Sequence, residues 1–415
     1  MMNLYIPFLW FFILSWRSYK KRGLDTYTFV SILYALSSLC SIFFYYSKDM
    51  DPQKANISFV ASLVYCILLT LIMFPLRYFS PVNIKQIIIR NTKLFDVMTV
   101  FFFLGTVYTL IANWEEILFR FAYGDWETLR TLVMSGEFIT ASKGGLSKYM
   151  GLLFSYPGAI SFIMFPVFFI YIIFLKKPWL MSTMAFIGTT NVILTGILQV
   201  DRSSTFRWIL VLAFNFIFFR QFISRKVKRQ LYPIIALFGS LALVYLGIVT
   251  VGRFGQDNAS KSLLSYSGLP YINYCYLWDN FDNGEGLSTK YLLPATHFFI
   301  IKDYEGNVAR QKELTERTGI ECGTFYSILG SFILYANKVG PFLFTFLYLF
   351  IFLFFNKGST ISDKTFYLMY ILSIIPLFGF IAYSYTSPTS TLSIIALVFV
   401  LSMVRVNDSY IIKFK

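Results

Sequence analysis

Charged side chains at the ends of apolar runs are the residues of this chain best placed to do chemistry. Asp201-Arg202-Ser203-Ser204-Thr205-Phe206-Arg207 separates two apolar stretches by only a few residues, which puts Arg202 and Arg207 at a membrane surface. A guanidinium stays protonated at physiological pH and offers a planar fork of N–H donors that grips phosphate bidentately. The same groups also serve as lipid-headgroup anchors or as partners of Asp201, and spacing alone does not separate these roles. A second such end is Val251-Gly252-Arg253-Phe254-Gly255, where the flanking glycines permit a tight turn and close approach of a ligand. Arg202, Arg207 and Arg253 are expected to converge on one anionic head group.

The stretch from 252 to 338 adds further candidates. His297 is the one histidine in the sequence, within Leu293-Pro294-Ala295-Thr296-His297-Phe298. Its imidazole can act near neutral pH as acid, base or charged donor, although a lone histidine is more often structural. Asp201 and Asp279 are the other candidates for a base. Tyr266, Tyr271, Asn273, Tyr274, Tyr276, Trp278, Asp279, Asp282 and Asn283 combine aromatic faces with short polar groups. That combination suits a sugar, and it equally suits the aromatic belt of a membrane interface. Gly323-Thr324-Phe325-Tyr326 opens an apolar stretch ending at Val339-Gly340 that is too short to cross a bilayer, so a re-entrant or surface-lying helix is expected, with N–H groups near Thr324 facing an anion.

Metal and cofactor signals are weak. One histidine cannot build a zinc site with Cys275 and Cys322; those cysteines can instead pair in an oxidising compartment, whereas Cys40 and Cys66 fall in apolar spans. Asp49-Met50-Asp51 matches the D-x-D pattern of metal-dependent sugar transferases but has no acidic partner nearby. Gly-rich nucleotide loops, H-E-x-x-H and G-x-S-x-G patterns do not occur. Neither a metal nor a cofactor is expected.

The elements that must hold these residues are membrane helices. The 415 residues are 57% hydrophobic and 14% charged, against about 25% charged in soluble domains, which excludes a soluble protein of this length. A span needs about 20 apolar residues, and about eleven runs qualify: 4–16, 26–46, 57–76, 95–113, 151–175, 179–199, 203–222, 231–251, 339–356, 365–384 and 390–405. The first is read as a retained helix, because no small-residue cleavage site follows Trp16. The net charge of +15 gathers in the short segments around 17–25, 77–94, 176–178, 220–230, 357–364 and 405–415. By the positive-inside rule these are cytoplasmic, with the N-terminus outside and the C-terminus inside. The excess thus records topology, and no nucleic-acid partner is expected. Two outward segments, 114–150 and 252–338, are too long for simple connections and place the work on the outer face. The expected architecture is an all-α polytopic membrane protein forming a single integral domain, 1–415.

From about 187 to 357 the order of features resembles the Wzy-type oligosaccharide repeat-unit polymerases of bacterial O-antigen and capsule synthesis. The matching pieces are Thr195-Gly196 and Asp201-Arg202-Ser203 opening a helix, the basic turn Arg225-Lys226-Val227-Lys228-Arg229, and Gly252-Arg253 opening a long outer loop. Gly323-Thr324-Phe325-Tyr326 to Val339-Gly340 completes the set, and Asn337 departs from it, standing where the family often has an acid. The resemblance implies a GT-C-like fold of the Wzy and O-antigen ligase type in the cytoplasmic (inner) membrane. It implies a metal-independent, inverting transfer between undecaprenyl-diphosphate-linked glycans, with membrane lipid as surroundings and a chain-length regulator and flippase as pathway partners. Arg202 and Arg253 would neutralise the leaving diphosphate, Arg207 would hold the second carrier, and Asn273, Tyr274, Asp279, Thr324 and Tyr326 would contact substrate. An O-antigen ligase transferring glycan to lipid A core, favoured by a loop histidine, is the first alternative. A non-enzymatic exporter or flippase is the second, and would need polar groups on broken helices deep in the bundle.

Overall fold

A computed structural model describes residues 2–135, 154, 158–282, 284, 286, 288, 296–303, 307–322, 325–356, 358–383, 388–403 and 410–414. The chain is predominantly helical. The helices are α1 (Ile6–Arg22), α2 (Thr26–Tyr45), α3 (Phe59–Met73), α4 (Thr92–Ala112), α5 (Trp114–Tyr123), α6 (Trp126–Ser135), α7 (Met164–Ile170), α8 (Trp179–Thr189), α9 (Asn191–Leu198) and α10 (Ser203–Phe219). They continue with α11 (Arg225–Asn280), α12 (Asn307–Thr318), α13 (Ser327–Ala336), α14 (Gly340–Phe355), α15 (Asp363–Phe378) and α16 (Pro388–Met403). Local signals set many of the ends. Asp25 caps α2 through the Thr28 N–H at 2.7 Å, Ser58 caps α3 through Ala61, and Ser362 caps α15 through Thr365. Lys20, Lys21 and Arg22 close α1, where cations complement the helix dipole.

Among the described residues, seven helical stretches are long and apolar enough to cross a membrane: Thr26–Tyr45, Phe59–Arg77, Thr92–Ala112, Trp179–Leu198, Ser203–Phe222, Arg225–Gly255 and Ser327–Phe355. Ser161–Leu175 and Thr391–Ser402 are apolar but shorter. A multi-pass membrane protein is consistent with this, the seven being counted among the described residues alone. Apolarity does not keep a helix unbroken: α15, for example, has 16 residues and contains Pro376.

The chain divides into two compact units, 1–85 with 263–392, and 86–262 with 393–415. In the first, Phe11 packs against Tyr34 and Tyr65 with centroids 5.4 and 6.3 Å away. The second half of α11 lies along α2 and α3. Ser37 and Ser41 donate to the carbonyls of Ser267 and Gly268 at 2.7 and 2.8 Å, and the Ser62 and Tyr271 hydroxyls meet at 2.7 Å. A Cβ on Gly268 would stand 2.7 Å from the Cys40 carbonyl, so glycine is what lets the helices touch. This part of the 252–338 stretch is therefore not a loop standing clear of the bundle but a helix beside two candidate spans.

The stretch around Ser327 is also inside the bundle. Every residue of α13 is buried, which overturns a surface-lying helix. The Phe332 and Phe344 rings stack 3.9 Å apart, whereas twelve residues of straight helix would separate them by about 18 Å. The chain therefore reverses at Asn337 (φ 54°), and α13 and α14 form a hairpin rather than one crossing. The N-terminus of α13 meets the unwound chain after α15: Ser327 and Ile328 N–H groups donate to the carbonyls of Ile381 and Gly379 at 2.9 and 2.8 Å. The Tyr34 hydroxyl, near the middle of α2, donates to the Pro376 carbonyl at 3.1 Å. Two helix ends thus face each other at mid-depth of a candidate span, where irregular backbone is tolerated only when protein satisfies it.

In the second unit α7, α8 and α10 meet at Phe168, Phe186 and Trp208, with the Trp208 indole donating to Thr189 Oγ1 at 3.0 Å. Lys177 and Tyr171 both reach Asp96, at 2.7 and 2.8 Å. Strand β1 (Gln86–Ile89) pairs antiparallel with a C-terminal strand, Tyr410–Lys413, in register Gln86↔Lys413 to Ile89↔Tyr410. The all-helical expectation did not include this pair.

Candidate functional site

The turn from Gln199 to Arg202 is shaped by what packs beneath it. Val200 has φ 51°, costly for a β-branched residue, and is held by a buried cluster of Trp126, Leu129, Tyr245 and Val249. Arg130 donates to the Gln199 carbonyl at 2.5 Å, and the Asp201 N–H returns to the Gly196 carbonyl at 2.8 Å. Gly196 is required there, since a Cβ would stand 2.9 Å from the Asp201 carbonyl and 2.8 Å from Ser204 Cβ.

Asp201 opens α10 rather than facing outward. Its carboxylate accepts from the Ser203 N–H at 2.9 Å, the Ser203 hydroxyl at 2.7 Å and the Ser204 hydroxyl at 3.0 Å. Burial pushes its pKa up, but these hydrogen bonds and the charge of Arg207 outweigh that and hold the carboxyl below its ordinary value. A depressed pKa with its oxygens engaged suits an anchor more than a proton acceptor.

Arg202 is buried, with 5% of its surface exposed. It donates from Nη1 to Thr250 Oγ1 at 3.0 Å and from Nη2 to Ser262 Oγ at 2.8 Å. Straight helix would place those hydroxyls about 18 Å apart, and they share one guanidinium because α11 bends at Gly255 (φ 72°, ψ 166°). Arg202 fills the inside of that bend. Its Cζ lies 4.7 Å from the centroid of Phe254, and the Cζ of Arg253 lies 5.0 Å from the same centroid. Among the described residues, Arg253 is half-buried and has no hydrogen bond or ion pair. Gly252 beside it abuts Trp126, and a Cβ there would be 2.3 Å from the indole Cδ1. Arg202 and Arg253 are thus brought to one ring, while Asp201 interacts with the charge of Arg207, half-buried on the first turns of α10.

The remaining candidates lie in the other unit. His297 is buried and its Nδ1 is 2.8 Å from Asp303 Oδ1. Asn273 donates to the Phe325 carbonyl at 2.7 Å, Asp279 accepts from Ser58 at 3.0 Å, and Gln311 donates to the Tyr326 hydroxyl. Tyr271 and Tyr274 are wholly buried, 4.9 and 5.0 Å from Tyr65 by ring centroid. An open sugar-binding surface made of these tyrosines is not what the fold builds; they are core. Thr324 lies outside the described residues. Cys275 and Cys322 are both free and buried, so they do not form the disulfide that was open from sequence. Asp51 caps the short helix Pro52–Lys54 through the Gln53 N–H at 3.0 Å.

Sequence reasoning missed Trp126, Arg130, Thr250 and Ser262, all of which shape the arginine site. Only the glycine pair around Arg253-Phe254 signalled a bend, and nothing in the spacing paired Thr250 or Ser262 with Arg202. No protein-family model, no curated protein and no solved structure matches this chain.

Proposed function

We propose that this protein is a glycosyltransferase of the bacterial cytoplasmic membrane, polymerising undecaprenyl-diphosphate-linked oligosaccharide repeat units on the outer face within a GT-C-like bundle of about eleven spans. The observation that supports it best is Arg253, a half-buried guanidinium without a counter-ion among the described residues, sharing the Phe254 ring with the buried Arg202. In the reaction, the sugar C1–O bond to the lipid diphosphate breaks and its electron pair leaves with the diphosphate. An acceptor hydroxyl of the incoming repeat unit bonds to C1 with inversion, and its proton passes to a base. Arg253 touches the charge that develops on the leaving oxygen, where a preorganised cation lowers the barrier. Arg202 keeps Arg253 placed through the bend at Gly255. Purified protein given lipid-diphosphate repeat units should yield a ladder of chain lengths; a single transfer to lipid A core would indicate a ligase, and no covalent product would sink both.

A second reading has its own support. The facing ends of α13 and α15 near Tyr34 are the broken-helix arrangement that carriers use. A glycan exporter or flippase would move intact lipid-linked units across vesicles without forming new glycosidic bonds.

A further inference from the structure

Helices α5 and α6 have ten residues each, follow one another, and present faces of opposite polarity. On α6 the pattern is that of a helix facing water: Trp126 and Leu129 are buried, while Asp125 just before it and Glu127, Thr128 and Thr131 are exposed. On α5 it is inverted. Arg120 is 1% exposed and paired with Glu116, turned inward, while Leu118, Phe119, Phe121 and Tyr123 are 44–49% exposed. Burying an ion pair while exposing four large apolar side chains is costly in water and favourable where the surroundings are hydrocarbon.

Position supports the same conclusion. Asn113 alone separates α5 from α4, a candidate membrane span, so α5 starts where that span ends. Trp114 and Glu115, both exposed, stand in its first turn, at the level where indole rings and charged groups meet a bilayer surface. Gly124, with φ 72°, ends α5 and lets the chain turn back toward water.

We propose that α5 lies in the membrane interface with its Leu118–Tyr123 face immersed in the bilayer's own lipid. The stretch from 114 to 123 is then a membrane-contact element rather than part of a water-exposed loop. It also ties the arginine site to the lipid surface. Phe121 packs edge-on to Trp126 at 5.4 Å, and Trp126 abuts Gly252 beside Arg253. The proposal does not depend on the glycosyltransferase reading.

Site-directed spin labels test it on the full chain in phosphatidylethanolamine–phosphatidylglycerol vesicles. Leu118→Cys and Phe119→Cys report the α5 face, Leu104→Cys on α4 serves as lipid reference and Glu127→Cys on α6 as water reference. The native cysteines are buried or half-buried, and unsubstituted protein gives their background. Relaxation by oxygen is compared with relaxation by a water-soluble nickel chelate. The expected result is an oxygen-to-nickel accessibility ratio at both α5 sites closer, on a logarithmic scale, to Leu104 than to Glu127. A ratio closer to Glu127 at either site overturns the proposal. Both substitutions are at exposed positions, so the label does not depend on repacking the core.

Discussion

Replacing Gly252 with alanine adds one methyl group at a place where the surrounding atoms leave no room. The new Cβ would stand 2.3 Å from Trp126 Cδ1 and 3.1 Å from Cγ, whereas carbon atoms rest at about 3.5–4.0 Å. Relief requires more than an ångström of movement. Trp126 is 3% exposed and packs on Leu129, Val200, Tyr245 and Val249, so the ring has nowhere to go without disturbing the turn that carries Arg202. Overpacking of this kind costs about 1–3 kcal/mol, and the backbone is the softer side, since Gly255 already bends three residues further on. Displacement of Arg253 should therefore accompany the loss of stability. The assay pairs thermal melting in detergent with titration of inorganic diphosphate, for Gly252→Ala, Trp126→Ala and the double variant. Removing the indole removes the clash, so the double variant should be less destabilised than the sum of the two single losses, by about 1 kcal/mol or more of coupling. Strict additivity, or a Gly252→Ala protein that melts and binds like the wild type, would refute the packing argument.

Further outcomes rest on the same geometry. Arg253→Ala should abolish diphosphate binding and the polymer ladder while leaving the melting temperature within error of wild type. Arg202→Ala should lose both, since its guanidinium bridges Thr250 and Ser262; Thr250→Val, which removes one charge-assisted hydrogen bond, should cost about 1.5–3 kcal/mol of stability by melting. Gly340→Ala would put a Cβ 2.0 Å from the Phe332 carbonyl and should open the α13–α14 hairpin, read as faster hydrogen exchange across Ser327–Ala336. The depressed pKa of Asp201 means that its stabilising contribution is complete above the unfolded carboxyl value and is lost only as pH falls through the lower folded value. Wild type should therefore melt closer to Asp201→Asn as pH drops below about 4, and a gap persisting unchanged through that range would count against the Ser203–Ser204 anchor.

Membrane character is legible from the sequence because it depends on run length and composition, which no packing arrangement alters. Helix ends at Asp25, Ser58 and Ser362 are legible for a similar reason, since a cap acts within three residues. The arginines at 202 and 253 were also visible as charges at the ends of apolar runs. Their partners were not, because Arg202 meets Thr250 and Ser262 across 48 and 60 residues and only through a bend. Tertiary packing likewise decided that Tyr271 and Tyr274 are core, since an aromatic residue satisfies a sugar, an interface or an interior equally well until its neighbours are known. The sequence shows Glu116 and Arg120 one turn apart, able to pair; only the tertiary structure turns that pair inward and leaves the apolar face of α5 outward, because which side of a short helix is covered is settled by what packs against it.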